Sequence, residues 1–532
     1  MTNGLSVRDL TVSAKAGHTI LSEVSFDLVA GERLGIVGAS GSGKSTIANA
    51  LLGLLPANFN VDSGSVTVAG ANAWVADEMR KVRGRRIGLI HQDPVGALNP
   101  VRTVGAHFQE ALRVHDPKLS KAQIRERAHA ELERVWLPAG TDVLNKYAFE
   151  LSGGMCQRVL IALTMALDPT FVIADEPTSF LDTLVQADII KLLRERVSEA
   201  GSGLVLISHD FGVINALSES IIVLSDGCIV ERGSCAEVLA KPEHPVTQDL
   251  LHALPTLVRE GRIAETPALK PWAEEPVVTT KNLTKRFSSV SRRAPRVTAV
   301  DNVSIALHKK RITGLVGASG CGKSTLARVL CGLEKVDGGG VQLTNAAPGK
   351  HRRHHVRALR GRVQLVFQDA AGSLHPHLTV GESVVEPLVS QGLLPIRSRR
   401  STAASLLDSV GLSRELLDRL PHQLSGGQAQ RVSIARAIST KPDLLIFDES
   451  LSGLDVLARS YMLDTIRSLR DRDNLAMLFI SHDFGLVSEI CDEVHVMNHG
   501  SIIESCDVQD LAKMSNGFSR ELLAAVPTVK TR

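Results

Sequence analysis

Short apolar runs bounded by glycine, proline or charge recur along the chain, and they do not alternate. Leu34-Gly-Ile-Val37, Phe171-Val-Ile-Ala174 and Leu204-Val-Leu-Ile207 lie in the first half; Ile312-Thr-Gly-Leu-Val316, Leu444-Leu-Ile-Phe447 and Met477-Leu-Phe-Ile480 lie in the second. Near-continuous runs of this length belong to strands buried on both faces, as in a parallel sheet covered by helices. Between them stand segments with helical apolar spacing: Ile47 to Leu52, Leu184 to Val197 and Leu326 to Leu330. Strand and helix patterns in alternation predict an α/β fold in each half.

The pattern is written twice. Gly38-Ala-Ser40-Gly41-Ser-Gly43-Lys44-Ser45-Thr46 recurs 279 residues later as Gly317-Ala-Ser319-Gly320-Cys-Gly322-Lys323-Ser324-Thr325. Leu151-Ser152-Gly153-Gly154-Met155-Cys-Gln-Arg158 recurs as Leu424-Ser425-Gly426-Gly427-Gln428-Ala-Gln-Arg431, and Asp175-Glu176 recurs as Asp448-Glu449. In both copies 23 positions separate the serine from the first acid, and 34 separate that acid from the histidine of Ser-His-Asp, His209 or His482. A chain of 532 residues is too long for one hydrophobic core, so the repeat is a tandem duplication. We expect domains at 1–255 and 277–532, joined by a Pro-bearing linker at 256–276 that carries no long helical arm.

Composition narrows the class. Hydrophobic residues at 44% and charged residues at 22% are those of an ordinary globular protein, and a net charge of +3 is too weak to suggest nucleic acid. The basic clusters Arg80 to Arg86 and His351 to Arg362 lack interleaved aromatics and are expected to be solvated faces. Seven scattered cysteines without a C-x-x-C pair argue against a disulfide framework or a zinc site and suit a reducing compartment. No run of eighteen apolar residues and no signal-type N-terminus is present, so membrane contact is expected to go through another protein.

The chemistry begins at G-x-x-x-x-G-K-[ST]. Its glycines let backbone N–H groups converge on phosphate at a helix N-terminus, where the helix dipole favours an anion. A lone match is also compatible with a glycine-rich turn; two matches in frame are not. Lys44 and Lys323 add charge near the β- and γ-phosphates, Ser45 and Ser324 offer a hydroxyl to Mg²⁺, and Asp175 and Asp448 hold that ion from strand ends. Glu176 and Glu449, directly after those aspartates, are candidates to orient the attacking water. His209 and His482 follow the next strand, where an imidazole can bond a γ-phosphate oxygen.

Together with Gln92 and Gln368 after a strand, and Asp182 and Asp455 downstream of the glutamates, these motifs resemble the ATP-binding cassette family over nearly the whole chain. The resemblance implies two P-loop cassettes, each a RecA-like parallel core with an antiparallel β subdomain and a helical subdomain carrying the signature. It implies ATP and Mg²⁺ as cofactors, with Gln92 and Gln368 near the metal. It also implies two composite sites. One joins Lys44, Gln92, Glu176 and His209 to Ser425, Gly426 and Gly427; the other joins Lys323, Gln368, Glu449 and His482 to Ser152, Gly153 and Gly154. Both keep glutamate and histidine, so two hydrolysing sites are expected. Met155 replaces the usual signature glutamine. Phe287 stands where the family stacks adenine, although it could instead be a core residue; the matching position in the first half is Ala14.

The segments Gln92-Asp-Pro-Val-Gly-Ala-Leu-Asn-Pro100, Gln368-Asp-Ala-Ala-Gly-Ser-Leu-His-Pro376 and Pro242-Glu-His-Pro-Val-Thr247 through Pro255 look like those of the oligopeptide, dipeptide and nickel importer cassettes. That likeness implies two transmembrane permease subunits, an extracytoplasmic solute-binding protein, and a peripheral position on the cytoplasmic face of the membrane. A soluble twin-cassette ATPase of the translation-factor type and an exporter ATPase are the alternatives. The second half lacks His-Pro-x-Thr and keeps only Phe518 to Pro527.

Overall fold

The structure is a computed structural model and describes residues 4–15, 17–137, 142–179, 181–261, 263, 275–287, 296–344, 359 and 361–529. The chain divides into two compact units. Unit 1 holds residues 1–254, 258–261 and 527–532, and unit 2 holds 255–257 and 262–526. Pro527–Val529 thus fold with unit 1, and Pro255–Leu257 with unit 2. The expected linker opens with a short helix, Thr256–Glu260, and most of it, like the His351 cluster, lies outside the described residues.

In unit 1, β1 (Leu5–Ala14), β2 (Thr19–Leu28), β3 (Arg33–Gly38), β4 (Phe59–Val68), β5 (Ala71–Asn72), β6 (Ile87–Ile90), β7 (Phe171–Asp175), β8 (Gly203–Ile207), β9 (Ser220–Ser225) and β10 (Cys228–Ser234) form two sheets. The outer one, β2-β1-β4-β5, is antiparallel. The inner one, β10-β9-β3-β8-β7-β6, is parallel except for β10. The apolar runs explain this sheet. Every residue of β8 is buried, as are the first four of β7, because helices cover both faces.

Unit 2 repeats the plan with β11 (Val278–Phe287), β12 (Val297–Val303), β13 (Ala306–Leu307), β14 (Ile312–Val316), β15 (Gly338–Leu343), β16 (Val363–Val366), β17 (Leu444–Asp448), β18 (Ala476–Ile480), β19 (Glu493–Asn498) and β20 (Ser501–Asp507). Its inner sheet runs β16-β17-β18-β14-β19-β20. The helices foreseen from spacing are present as Lys44–Leu51, Thr183–Ala200 and Lys323–Leu330.

In unit 1 a buried ion pair, Arg196 to Glu131 at 2.7 Å, ties the helix Lys121–Arg134 to the helix Thr183–Ala200. Such a pair fixes register more than it adds stability, because desolvation offsets most of the attraction. The Arg80 to Arg86 cluster differs from a purely solvated face. Arg83 donates from Nε to Leu52 O (2.7 Å) and from Nη2 to Gly53 O, and Arg85 donates to His115 O. These guanidinium groups satisfy carbonyls at a helix end and a turn.

Candidate functional site

The phosphate loops leave the C-terminal ends of β3 and β14, and each flows into a helix whose N-cap is a glycine in the left-handed region, Gly43 (φ 101°) and Gly322 (φ 112°). A side chain is excluded there on two counts. The backbone conformation disfavours it, and a Cβ would meet Ile20 O at 3.0 Å in unit 1 or Ala299 O at 1.9 Å in unit 2. The lysines are buried and bent over their loops. Lys44 Nζ donates to Gly38 O (2.8 Å) and Ala39 O (2.7 Å), and Lys323 Nζ to Gly317 O (2.8 Å) and Ala318 O (3.0 Å).

Parallel pairing brings the next residues to the same rim. Asp175 is in register with Ile207, Glu176 N donates to Ile207 O at 2.8 Å, and Ser208 N donates to Ile36 O at 3.1 Å. Strand ends therefore deliver loop, acid pair and histidine side by side, at the sheet edge where doubly wound folds bind ligands. His209 Nδ1 lies 3.0 Å from Glu176 Oε1, while Ser179 Oγ (2.7 Å) and Gln92 Nε2 (3.4 Å) reach Oε2. Unit 2 is looser: His482 Nδ1 stands 3.6 Å and Lys323 Nζ 4.0 Å from Glu449 Oε1, and Gln368 is exposed.

Electrostatics separates the two acids of each pair. Burial pushes Glu176 up, but the hydrogen bond and charge of His209, the Ser179 hydroxyl and Lys44 outweigh it and hold the carboxyl below its ordinary value. His482 beside it does the same for Glu449 against burial. Asp175 moves the other way, raised by burial and then by the Glu176 charge, with Ser45 and Lys44 only partly offsetting. Asp448 is raised by burial too, with Ser324 opposing. Among the described residues nothing hydrogen-bonds the buried Asp175 Oδ1, and Ser324 Oγ donates to Asp448 Oδ1 at 3.0 Å. The unmatched buried oxygen in unit 1 and the hydroxyl beside the carboxylate in unit 2 are each donors suited to Mg²⁺.

One feature was invisible in the sequence. Glu176 (φ 46°) and Glu449 (φ 48°) both adopt the left-handed conformation, which costs a non-glycine residue of order 1–3 kcal/mol and clusters at functional sites.

The signature serines sit elsewhere in their units, exposed at helix starts. Ser152 caps Gly153–Met165 by accepting from Met155 N, and Ser425 caps Gly426–Ile438 by accepting from Gln428 N. Gln428 Oε1 accepts in return from Ser425 N at 3.0 Å, completing a capping box that Met155 cannot form. Asp182 and Asp455 are N-caps of Thr183–Ala200 and Val456–Asp473. Phe287 ends β11, 38% exposed, with Lys285 Nζ 4.9 Å above its ring. Strand β1 matches β11 in length and burial rhythm, which sets Ala14 at the place of Phe287.

The tail segments also correspond. Glu231 on β10 accepts from Glu243 N and His244 N, and His244 caps the helix Pro245–His252. Glu504 on β20 accepts from Ser515 N and Asn516 N, and Asn516 caps Gly517–Ala524. The second half keeps the staple although it has lost His-Pro-x-Thr.

Comparison with known proteins agrees with this geometry. The ABC transporter family model matches residues 21–179 and 300–452. The glutathione import ATP-binding protein of Shigella flexneri serotype 5b is 37% identical over 99% of this chain and 90% of its own length. Its Escherichia coli K12 counterpart is 36% identical over the same shares. An archaeal ribosome recycling factor, solved with a ribosomal stalk protein, aligns with a TM-score of 0.64 over 98% of this chain and 92% of its own. Its 22% identity speaks to fold alone. Two matched segments, two phosphate loops and two acid pairs have one meaning: the chain belongs to the ABC transporter family and carries two of its ATP-binding cassettes.

Proposed function

We propose that this ABC-family ATPase energises an importer of peptides or related small solutes, working peripherally on the cytoplasmic face of a membrane with two permease subunits and, through them, a solute-binding protein. The observation that carries the reading is the alignment, 37% identical over 99% of the chain, with a protein named for glutathione import. The paired Glu231 and Glu504 staples support it, because they give structure to the tail segment that resembles the peptide-importer cassettes.

Hydrolysis follows from the chain's own groups. The phosphate loop and Lys44 or Lys323 cradle the β- and γ-phosphates at a helix N-terminus. Ser45 with Asp175, and Ser324 with Asp448, would hold Mg²⁺, which when bound neutralises phosphate charge. Glu176, ionised by its contact with His209, accepts a hydrogen bond from water and aims it in line with the γ-phosphate. With Nδ1 turned to the carboxylate, Nε2 of the imidazole is the nitrogen that addresses a phosphate oxygen. Ser425, Gly426 and Gly427, and likewise Ser152, Gly153 and Gly154, offer a hydroxyl and backbone donors at a helix N-terminus to a γ-phosphate, which makes their engagement depend on ATP.

The test is purification of the tagged chain from detergent-solubilised membranes. Two multi-span subunits are expected among the recovered proteins. Recovery of ribosomal proteins, or of nothing from membranes, would overturn the importer reading and leave the ATPase intact.

A further inference from the structure

In unit 1 the helix Phe211–Leu217 begins two residues after His209, with Asp210 as its N-cap accepting from Gly212 N (2.8 Å) and Val213 N (3.2 Å). Its seven residues are too few to hold a position by helix propensity alone. Phe211, Val213, Ile214 and Leu217 anchor one face in the core. The other restraint comes from the end of the chain. Asn215 Nδ2 donates to Thr528 O (3.1 Å) and Val529 O (3.0 Å), and Val529 N donates to Val258 O (2.8 Å). Gly212 lies so close that a Cβ there would fall 2.6 Å from Pro527 O.

Unit 2 has a counterpart. The helix Phe484–Ile490 begins two residues after His482, and its Glu489 accepts from Thr256 N (3.2 Å) and Thr256 Oγ1 (3.4 Å). Thr256 belongs to the segment Pro255–Leu257 that folds with unit 2. The two segments are copies of one motif, Leu254-Pro-Thr-Leu257 and Val526-Pro-Thr-Val529.

We propose that these Pro-Thr segments are positioning elements for ATP hydrolysis: each braces the helix that directly follows a catalytic histidine, so that the segment closing the second half of the sequence sets His209 and the one closing the first half sets His482. The inference rests on the reading of those histidines given above. A side-chain amide that spends both bonds on backbone carbonyls, and a glycine that admits a proline carbonyl, hold the helix to a fixed depth. Loss of that depth moves His209 relative to Glu176, and misplacement by about 1 Å can cost up to about 100-fold in rate.

The test uses the full-length chain with Gly212→Ala, which pushes Pro527 away, and Asn215→Leu, which removes the amide, beside a chain ending at Val526 and His209→Ala as reference. All are made in a Glu449→Gln background, which silences the other site, and expected for the three brace variants is a kcat lowered about tenfold at unchanged KM for ATP, with the Gly212→Ala, Asn215→Leu double variant no worse than either single one. A simple packing role would lower the thermal midpoint without that split. A kcat within twofold of the parent, or a KM rising as kcat falls, overturns the proposal. If His209→Ala itself leaves kcat intact, the reading of the histidine fails, and the brace with it.

Discussion

Nδ1 of His209 stands 3.0 Å from Oε1 of Glu176, whereas the matching pair in unit 2, His482 and Glu449, is 3.6 Å apart with Lys323 Nζ drawn to 4.0 Å from the same oxygen. In both units the contact keeps the glutamate ionised, which is the form that can polarise water. Glu176→Gln and Glu449→Gln keep the shape and lose the charge. Each is expected to bind ATP with unchanged affinity and to slow hydrolysis on the order of 10²–10³ at its own site. Phosphate release beside nucleotide titration checks this, and undiminished turnover in the double variant would sink the assignment.

The aspartates set a pH dependence of their own. Asp175 and Asp448 are raised, mainly by burial, so they take up protons at a higher pH than an ordinary aspartate does. A metal must displace those protons. Affinity for Mg-ATP is therefore expected to weaken as pH falls toward the raised values, while metal-free ATP binding, which does not need these carboxylates, changes less. Nucleotide titrations with Mg²⁺ and with chelator across that range separate the two; parallel curves would argue against these residues as metal ligands.

How much of this was legible beforehand follows the distance over which each feature is decided. The strands carrying the loop, the acid pair and the histidine announce themselves, because burial on both faces demands apolar runs. Spacing identical in the two halves singled out the groups that the strand ends bring to one rim. The left-handed backbone at Glu176 and Glu449 was not legible, since it goes with bonds from their N–H groups to Ile207 O and Ile480 O on a neighbouring strand. Nor was the role of Asn215 or Glu489. Each acts through partners hundreds of residues away, where no local pattern reports.

The Met155 departure has a local consequence. Ser152 accepts from Met155 N, but no side chain at position 155 returns the bond as Gln428 does for Ser425. Met155→Gln is expected to complete the capping box and stabilise unit 1 by about 0.5–1 kcal/mol, with ATP turnover within twofold of the parent. Denaturant unfolding detects the first and steady-state ATPase the second.

Phe287 and Ala14 occupy one position in two copies of the same strand. An exposed ring beside a lysine is suited to stack on a base. Phe287→Ala is expected to weaken ATP binding at one site by about 1–3 kcal/mol, while Ala14→Phe strengthens it at the other. Equal ATP affinity before and after Phe287→Ala would return that ring to a packing role.

Unit 2 holds a buried titrating pair away from the nucleotide residues. Glu493 donor contact comes from Thr313 Oγ1 at 2.9 Å, and His495 Nε2 lies 3.8 Å from its carboxylate. Burial pushes Glu493 up to about 7 and His495 down to about 4. The signs oppose. The raised acid keeps its proton in the folded state after the unfolded chain has lost it, so its contribution falls as pH rises from 4.5 to about 7. The depressed imidazole stays neutral while the unfolded chain gains a proton, so its contribution falls as pH drops from 6.5 to about 4. Between those limits the two pH dependences cancel while both costs remain, and above pH 7 only the cost of the ionised Glu493 is felt, about 3 kcal/mol by the size of its displacement. Glu493→Gln removes that charge. It is expected to raise the unfolding midpoint of unit 2 at pH 8 and to change it little at pH 5; an equal effect at the two values would show that the carboxyl is not held protonated.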